Sequence, residues 1–244
     1  MNWLKRITNK KKENIIFLHL PKAGGTTLRH VFYDQYKYLR KGELYTINRT
    51  KETPDFLNLP QKEKDKIKVL VGHFSFGLHE QLNGNFKYVT MLREPKARVI
   101  SAYNYSRSIV NHDLHHLTNS QSLSSYLTNT KLGWLENGQT KFIAGVIDFN
   151  DPCTETVLIK AIENIEKYFL AVGVLERFDE SIQNFANRLK WKKPQYEIKN
   201  ITQSIESTFS FEDLQIVENM NKFDQLLYEY VDVKLGSELK QNSY

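Results

Sequence analysis

The sequence predicts an α/β fold of three layers, in which a central parallel β-sheet is flanked by helices. Four short apolar runs are continuous rather than alternating, which is typical of parallel strands buried on both faces. Helical patterns lie between the runs, and polar or glycine-bearing turns follow each of them. A length of 244 residues suits a single domain of this kind. The runs predicted as strands are NIIFLHL from Asn14, KIKVLVGHF from Lys66, FKYVTMLR from Phe86 and YFLAVGVL from Tyr168.

Two helices are predicted directly after strands. From Thr26 onward, Leu28, Val31 and Phe32 recur at a spacing of three and four residues, which marks the apolar face of an amphipathic helix. The segment from Pro95 to Val110 follows the third strand. Its proline lies near the first helical turn, where the missing N–H costs little.

The remaining segments carry weaker patterns. A helix is predicted over residues 210–231, where Ser210 and Asp213 give a start that resembles a capping box. The polar segment 111–149 is predicted to form helices and loops that cover one edge of the sheet as a lid or substrate wall. The stretch 191–207 is predicted to be a loop-rich connector.

Composition limits the class of protein. The single cysteine, Cys153, excludes an internal disulfide framework and fits a reducing compartment. We expect it to be a packed thiol rather than a nucleophile, because no activating motif surrounds it. No apolar run approaches the roughly 18–20 residues that span a bilayer, and the first residues lack the apolar core of a signal peptide. We therefore expect no transmembrane segment and a cytoplasmic location, with residues 1–13 as a basic tail.

The net charge of +6 suits a polyanionic partner or an anionic cofactor. No zinc-finger, RRM or similar signature is present, so nucleic acid is not an expected partner. A non-catalytic binder of anionic glycans remains an alternative that rests on the charge alone.

The segment PKAGGTT, from Pro21, has the chemistry of a phosphate-binding loop between a strand and a helix. Glycines let the backbone approach a ligand, and the first N–H groups of the helix favour an anion. Lys22 adds a full charge, and Thr26 and Thr27 add hydroxyl donors. This P-loop-like segment is not a Walker A loop, because Lys22 precedes Gly24 and Gly25. The alternative is an ordinary strand-to-helix turn with an incidental lysine.

A second anion site is predicted after the third strand. Arg93 lies at the carboxyl end of that strand, where open α/β sheets bind ligands. Ser101 follows eight residues later in the next helix. A guanidinium and a hydroxyl can hold a phosphate together. The alternative is that Arg93 pairs with Glu94 or another local acid and that Ser101 only packs.

In combination, these two motifs resemble a known family. PKAGGTTL followed by REPxxRxxSxY resembles the sulfotransferases that use 3′-phosphoadenosine 5′-phosphosulfate (PAPS) and release 3′-phosphoadenosine 5′-phosphate (PAP). The branch most similar contains the heparan sulfate 2-O- and 6-O-sulfotransferases and their small bacterial-type relatives. The segments ENGQTKFIAG and VGVLERFDESI also resemble blocks that recur in this group. The resemblance covers Ile15 to Ile182.

The resemblance implies a P-loop-like sulfotransferase domain over residues 14–235, with a C-terminal tail over residues 236–244. It also implies that PAPS is the cofactor and that no metal is needed. Arg93 and Ser101 would hold the 3′-phosphate, and Lys22 would stabilise the leaving phosphate. The residues implied to hold the 5′-phosphosulfate are Lys22, Ala23, Gly24, Gly25, Thr26 and Thr27.

Transfer of a sulfuryl group to a hydroxyl needs a general base, and histidine is the usual one near neutral pH. His73 lies in a GH pair that resembles the base segment of the 2-O-sulfotransferases, and His79 lies in a GLH segment that resembles that of the 6-O branch. Both stay candidates, with His73 favoured because it ends a strand beside the expected cleft. Glu80 could orient a histidine, act as the base or be a surface residue. His19 is expected to be a hydrogen-bonded core histidine.

The acceptor is expected to be a hydroxyl-bearing saccharide or glycoconjugate. Tyr103, Tyr105 and Trp134 could stack on a sugar ring or belong to the core. A small-molecule kinase is the alternative enzyme, although it would need a Walker A order and acidic magnesium ligands. The sequence does not predict an oligomeric state. The remaining histidines, His112, His115 and His116, are interpreted as a solvated helix face because no partner ligands accompany them.

Overall fold

The structure is a computed structural model that describes residues 13–108, 122–130, 132–192, 194–196 and 209–241. Within these ranges, one sheet contains five parallel strands in the order β2-β3-β1-β4-β5. The central parallel sheet that the sequence predicts is thereby confirmed. The strands are β1 (Asn14–Leu18), β2 (Leu44–Ile47), β3 (Val69–Gly72), β4 (Phe86–Leu92) and β5 (Phe169–Val174).

All four strands predicted from apolar runs are present, and the sequence pattern missed only β2 among the five strands described. Its sequence, LYTI, is short, and three of its four residues are only half-buried. The other edge strand, β5, has four buried residues of six, so low burial rather than edge position distinguishes β2. A half-exposed strand needs no continuous apolar run, which is the signal by which the other strands were predicted.

Ten α-helices lie within the described residues. The first two predicted helices are confirmed as α1 and α4, and the third is interrupted. The helices are α1 (Gly25–Tyr36), α2 (Thr53–Leu57), α3 (Gln61–Lys64), α4 (Pro95–Ser108), α5 (Leu123–Thr130), α6 (Gly138–Ala144), α7 (Glu155–Tyr168), α8 (Phe178–Leu189), α9 (Phe211–Met220) and α10 (Lys222–Gln241).

Alternate residues of the strands supply two cores, one on each face of the sheet. Ile15 and Phe17 of β1 pack with residues of α1 and α8. Ile16 and Leu18 pack on the opposite face with residues of α6, α7 and α10. The helices therefore form a layer on each side of the sheet, which confirms the three-layer prediction. A third cluster joins α4, α5 and α9 through residues such as Tyr126.

The C-terminal helical segment differs from the prediction of one helix over 210–231. The predicted capping box is present, because Ser210 and Asp213 exchange hydrogen bonds at the start of α9. The chain then breaks at Asn221, and α10 continues to Gln241. Much of the expected tail 236–244 is therefore helical, and buried Glu238 accepts a hydrogen bond from Asn184 Nδ2 over 2.8 Å.

Some predicted features lie outside the described residues. These are nearly all of the basic tail, the first part of the predicted lid with its three histidines, and most of the connector after Trp191. No helix in the described ranges combines the length and apolar character needed to cross a membrane.

Candidate active site

The turn between β1 and α1 presents an uncapped helix N-terminus. Lys22 and Gly24 both have left-handed backbone conformations, with φ of 67° and 70°. Gly24 is the N-cap of α1, no side chain caps the helix, and its first turn holds no acidic residue. The positive end of the helix dipole and its first N–H groups are therefore available to an anion. Thr26 is half-buried beside it, and Thr27 is buried.

Both glycines of this turn are required by close contacts. A Cβ on Gly25 would lie 1.5 Å from Nε2 of His19, and one on Gly24 would lie 2.3 Å from Cδ1 of Leu175. The backbone of the loop therefore lies directly against the ends of β1 and β5. Ala23, between Lys22 and Gly24, is buried and contributes to this packing.

Arg93 meets the opening loop. It directly follows β4, which pairs with β1, and its Nη1 donates a hydrogen bond to the carbonyl oxygen of Lys22 over 3.2 Å. The side chain of Gln139 fixes the backbone of Arg93 from the other side: its Oε1 accepts from Arg93 N, and its Nε2 donates to Arg93 O, both over 2.9 Å. Two cations predicted from separate motifs thus lie at the carboxyl ends of the neighbouring strands β1 and β4.

This pair of cations is poorly compensated. Burial, with the nearby charge of Arg93, lowers the pKa of Lys22 to about 8. Burial also lowers the pKa of Arg93, although Glu176 and Glu94 oppose that shift. The Nε of Arg93 is buried and has no hydrogen-bond partner among the described residues. A bound anion would supply the missing partner and offset the repulsion, so these residues fit a phosphate group.

One face of α4 borders the same loop. The ring of Tyr105 lies 3.8 Å from Nζ of Lys22, and Ser101 precedes Tyr105 by one helical turn. Ser101 therefore shares the face that approaches the loop. Tyr103 belongs to the core, and Trp134 is partly buried against it. Of the three aromatic residues considered for stacking, only Tyr105 is substantially exposed.

His73 directly follows β3 and is held in one orientation. Its Nδ1 lies 2.7 Å from the carbonyl oxygen of His19. Because a carbonyl can only accept, Nδ1 carries a proton, and Nε2 of the neutral ring keeps a free lone pair. Burial lowers the pKa of His73, the His19 carbonyl opposes this shift, and Arg29 adds to it. His73 is thus a neutral histidine with an available basic nitrogen.

His79 has the opposite tautomer and a different location. The hydroxyl oxygen of Tyr88 accepts from the backbone N–H groups of Gly77 and His79, each over 3.2 Å, so its own proton points to Nδ1 of His79 at 3.0 Å. Nε2 of neutral His79 therefore carries a proton. Its ring contacts Tyr168, which immediately precedes β5. His79 thus lies near the amino-terminal ends of the strands, away from the loop that holds Lys22.

His19 departs from the expectation of a hydrogen-bonded core histidine. It is buried, but its Nδ1 has no hydrogen-bond partner among the described residues. Its ring stacks on Phe17 with centroids 5.5 Å apart and lies 4.0 Å from the ring of His73. Burial, followed by His73 and Arg29, lowers the pKa of His19 well below its usual value. The expected burial is confirmed, but the expected hydrogen bond is missing at Nδ1, and aromatic contacts hold this ring.

A buried polar network supports Arg93, and sequence reasoning missed it. Asp224, at the start of α10, accepts hydrogen bonds from the backbone N–H groups of Gln139 and Thr140 and from the Thr140 hydroxyl. It also pairs with Arg98 Nη2 at 3.4 Å. The segment ENGQT therefore positions Gln139, which in turn fixes Arg93. Its similarity to a recurring block was the only sequence signal for this role.

Two further residues behave as surface or inert groups. Glu80 is exposed, in agreement with the surface alternative. Burial raises the pKa of Cys153 to about 12, so the thiol stays protonated, as expected for a packed cysteine. Within the described ranges, no group of three or more His, Cys, Asp or Glu side chains could hold a metal ion.

The chain belongs to the sulfotransferase family, whose model matches residues 5–231. This confirms the family predicted from the two motifs, and the match continues well beyond Ile182. A protein-tyrosine sulfotransferase from Arabidopsis thaliana is 32% identical over 127 residues, which make up 50% of this chain and 23% of that relative. The fold is also similar to a crystal structure of mouse sulfotransferase SULT7A1 complexed with PAP. The superposition covers 88% of this chain and 66% of the mouse chain, with a TM-score of 0.42 and 11% identity.

Proposed function

We propose that this protein transfers the sulfuryl group of PAPS to a hydroxyl of a saccharide or glycoconjugate. The observation that carries the proposal is the hydrogen bond from Arg93 to the backbone of Lys22, which brings the two candidate anion-binding motifs into contact. A nucleotide with phosphates at both ends of its ribose requires two such sites. When bound, PAPS supplies an activated sulfuryl group on a phosphate leaving group.

Each cofactor-binding residue has a distinct task. The uncapped N–H groups of α1 and the ammonium of Lys22 bind the 5′-phosphate, where negative charge grows as transfer proceeds. Arg93 and Ser101 bind the 3′-phosphate. The ring of Tyr105, 3.8 Å from the ammonium of Lys22, borders the 5′-phosphate site. No residue in this set needs a metal to perform its task.

His73 acts as the general base, in preference to His79. Its Nδ1 proton is committed to the His19 carbonyl, so Nε2 is the atom that accepts the proton of the acceptor hydroxyl. After this transfer the imidazolium keeps its hydrogen bond to the same carbonyl. His79 is disfavoured because Tyr88 donates to its Nδ1. It also lies near the amino-terminal ends of the strands, opposite the ends that hold Lys22.

A tyrosyl hydroxyl is the second candidate acceptor. The relative from Arabidopsis thaliana is a protein-tyrosine sulfotransferase, and half of this chain aligns with it. A phenol is more acidic than a sugar alcohol, so it would depend less on a general base. The strength of the requirement for His73 therefore separates the two acceptor classes.

The proposal is tested by incubating the protein with ³⁵S-labelled PAPS and a panel of saccharides and tyrosine peptides. We expect label in a saccharide, loss of transfer in Lys22→Ala, and wild-type transfer in the surface control Lys66→Ala. Label only in tyrosine peptides would replace the saccharide by the second candidate. Binding of ATP–Mg²⁺ with no binding of PAP, measured by calorimetry, would contradict the proposal and favour a kinase.

A further inference from the structure

One arginine beside the proposed base has no role in the cofactor site. Arg29 lies on α1, one turn after Gly25 and one turn before Tyr33, so the three residues share one helix face. Gly25 touches the ring of His19, and the Tyr33 hydroxyl lies 3.1 Å from Thr46 Oγ1 in β2. This face of α1 therefore runs from the loop toward the edge of the sheet, over the ends of β1, β3 and β2.

His73 and the neighbours of Arg29 lie at the same place. The backbone N–H of His73 donates to the carbonyl oxygen of Ile47 over 3.0 Å. Asn48, the next residue, therefore lies beside His73. Nη1 of Arg29 lies 3.4 Å from Oδ1 of Asn48, the residue that follows β2. Arg29 also contributes, after burial, to the low pKa of both His19 and His73, which agrees with its closeness to both rings.

The guanidinium of Arg29 has few hydrogen-bond partners among the described residues. Its Nε is buried and has no hydrogen-bond partner among the described residues, and its contact with Asn48 is long. The described ion pairs do not include Arg29, and the Tyr33 ring centroid is 6.0 Å from its Cζ. A half-buried cation with spare donors can form a bidentate contact with a carboxylate or sulfate.

We propose that Arg29, with Asn48, binds an anionic group of the acceptor and so selects an acidic saccharide. The inference rests on the proposed function, because it assumes that the acceptor hydroxyl meets His73. An acidic group on the same sugar as that hydroxyl would bind the guanidinium while the hydroxyl lies at the base. Arg29 is a specificity-determining residue in this scheme, and it does not contact the cofactor.

The test uses calorimetry on the PAP-loaded protein with two matched probes, methyl β-D-glucuronide and methyl β-D-glucoside. We expect the wild type to bind the glucuronide at least about tenfold more tightly, since a charge-assisted hydrogen bond is lost in the neutral sugar. Arg29→Gln should remove this preference, and Arg29→Lys should keep part of it. Arg40→Gln removes an equal charge from the exposed turn that follows α1 and should leave the preference unchanged.

The outcomes are separable. Failure of PAP to bind the wild type would overturn the proposed function itself. Normal PAP binding with a preference that survives Arg29→Gln, or with no acidic preference among either the sugars or the peptides described next, would overturn only the role of Arg29. Replacing the sugars by the peptides Glu-Glu-Tyr and Gln-Gln-Tyr tests the other acceptor class. A preference for the acidic peptide that depends on Arg29, without one for the sugar, would overturn the saccharide assignment.

Discussion

Removal of the Asp224 carboxylate should cost more stability than removal of any surface ion pair. Asp224→Ala leaves two backbone N–H groups and the Thr140 hydroxyl without this acceptor, and it leaves the Arg98 guanidinium without its carboxylate partner. Arg98 and Asp224 are fully buried, with 1% and 0% of their side chains exposed. Breaking a buried charge pair costs about 3–5 kcal/mol, because the remaining charge stays buried and unpaired. This is a large fraction of the roughly 5–15 kcal/mol that stabilises an ordinary domain.

The assay is urea unfolding followed by circular dichroism, with Glu218→Gln as the matched control. The Lys96–Glu218 pair is shorter, at 2.6 Å, but its side chains are 38% and 56% exposed. Solvent screening limits such pairs to about 1 kcal/mol or less, so the control should unfold close to the wild type. A loss below about 1 kcal/mol in Asp224→Ala would refute the reasoning that burial, rather than distance, sets the energy of these pairs.

Three further predictions concern the loop and its neighbours. His73→Ala should lower kcat by about 10²–10⁴-fold without weakening PAP binding, while His79→Ala stays near wild type; equal losses in both variants would contradict the assignment of the base. Gly25→Ala should lower the free energy of unfolding by about 1–3 kcal/mol, because its Cβ would meet His19. Gly236→Ala, whose Cβ would meet nothing closer than 3.8 Å, is the control, and a Gly25 variant as stable as this control would show that the turn adapts. PAP affinity should fall as pH rises through about 8, where the free protein loses the Lys22 proton that the bound anion requires. Lys22→Arg stays charged and should flatten that profile when calorimetry is repeated across the range; an equally steep fall would assign the pH dependence to another group.

The apolar runs predicted the strands that are mostly buried and missed the one that is not. The four runs became β1, β3, β4 and β5, since strands covered by two helix layers are apolar along most of their length. The half-exposed strand β2 carries no such requirement. The break between α9 and α10 was also missed, because a single asparagine is only a weak helix breaker. It is fixed by tertiary contacts: its Oδ1 accepts from the backbone N–H of Asn137 over 3.0 Å.

The candidate site could be predicted only where local chemistry was sufficient. The loop around Lys22 and the position of Arg93 follow from the order of strand, glycine and helix, and both lie where the sequence places them. The choice between His73 and His79 could not be made from sequence, because it depends on which groups face each Nδ1. Gln139 was missed for the same reason, since its bonds to Arg93 join residues 46 positions apart.

The central claim is that Lys22 and Arg93 bind the two phosphate ends of one nucleotide. Calorimetric titration of PAP into the wild type, Lys22→Ala, Arg93→Ala and the surface control Lys66→Ala tests it most directly. We expect binding to the wild type and to the control, and a loss of about tenfold or more in each of the other two variants, because each removes a charged contact to phosphate. Unchanged affinity in both Lys22→Ala and Arg93→Ala, with the fold intact by circular dichroism, would contradict the account.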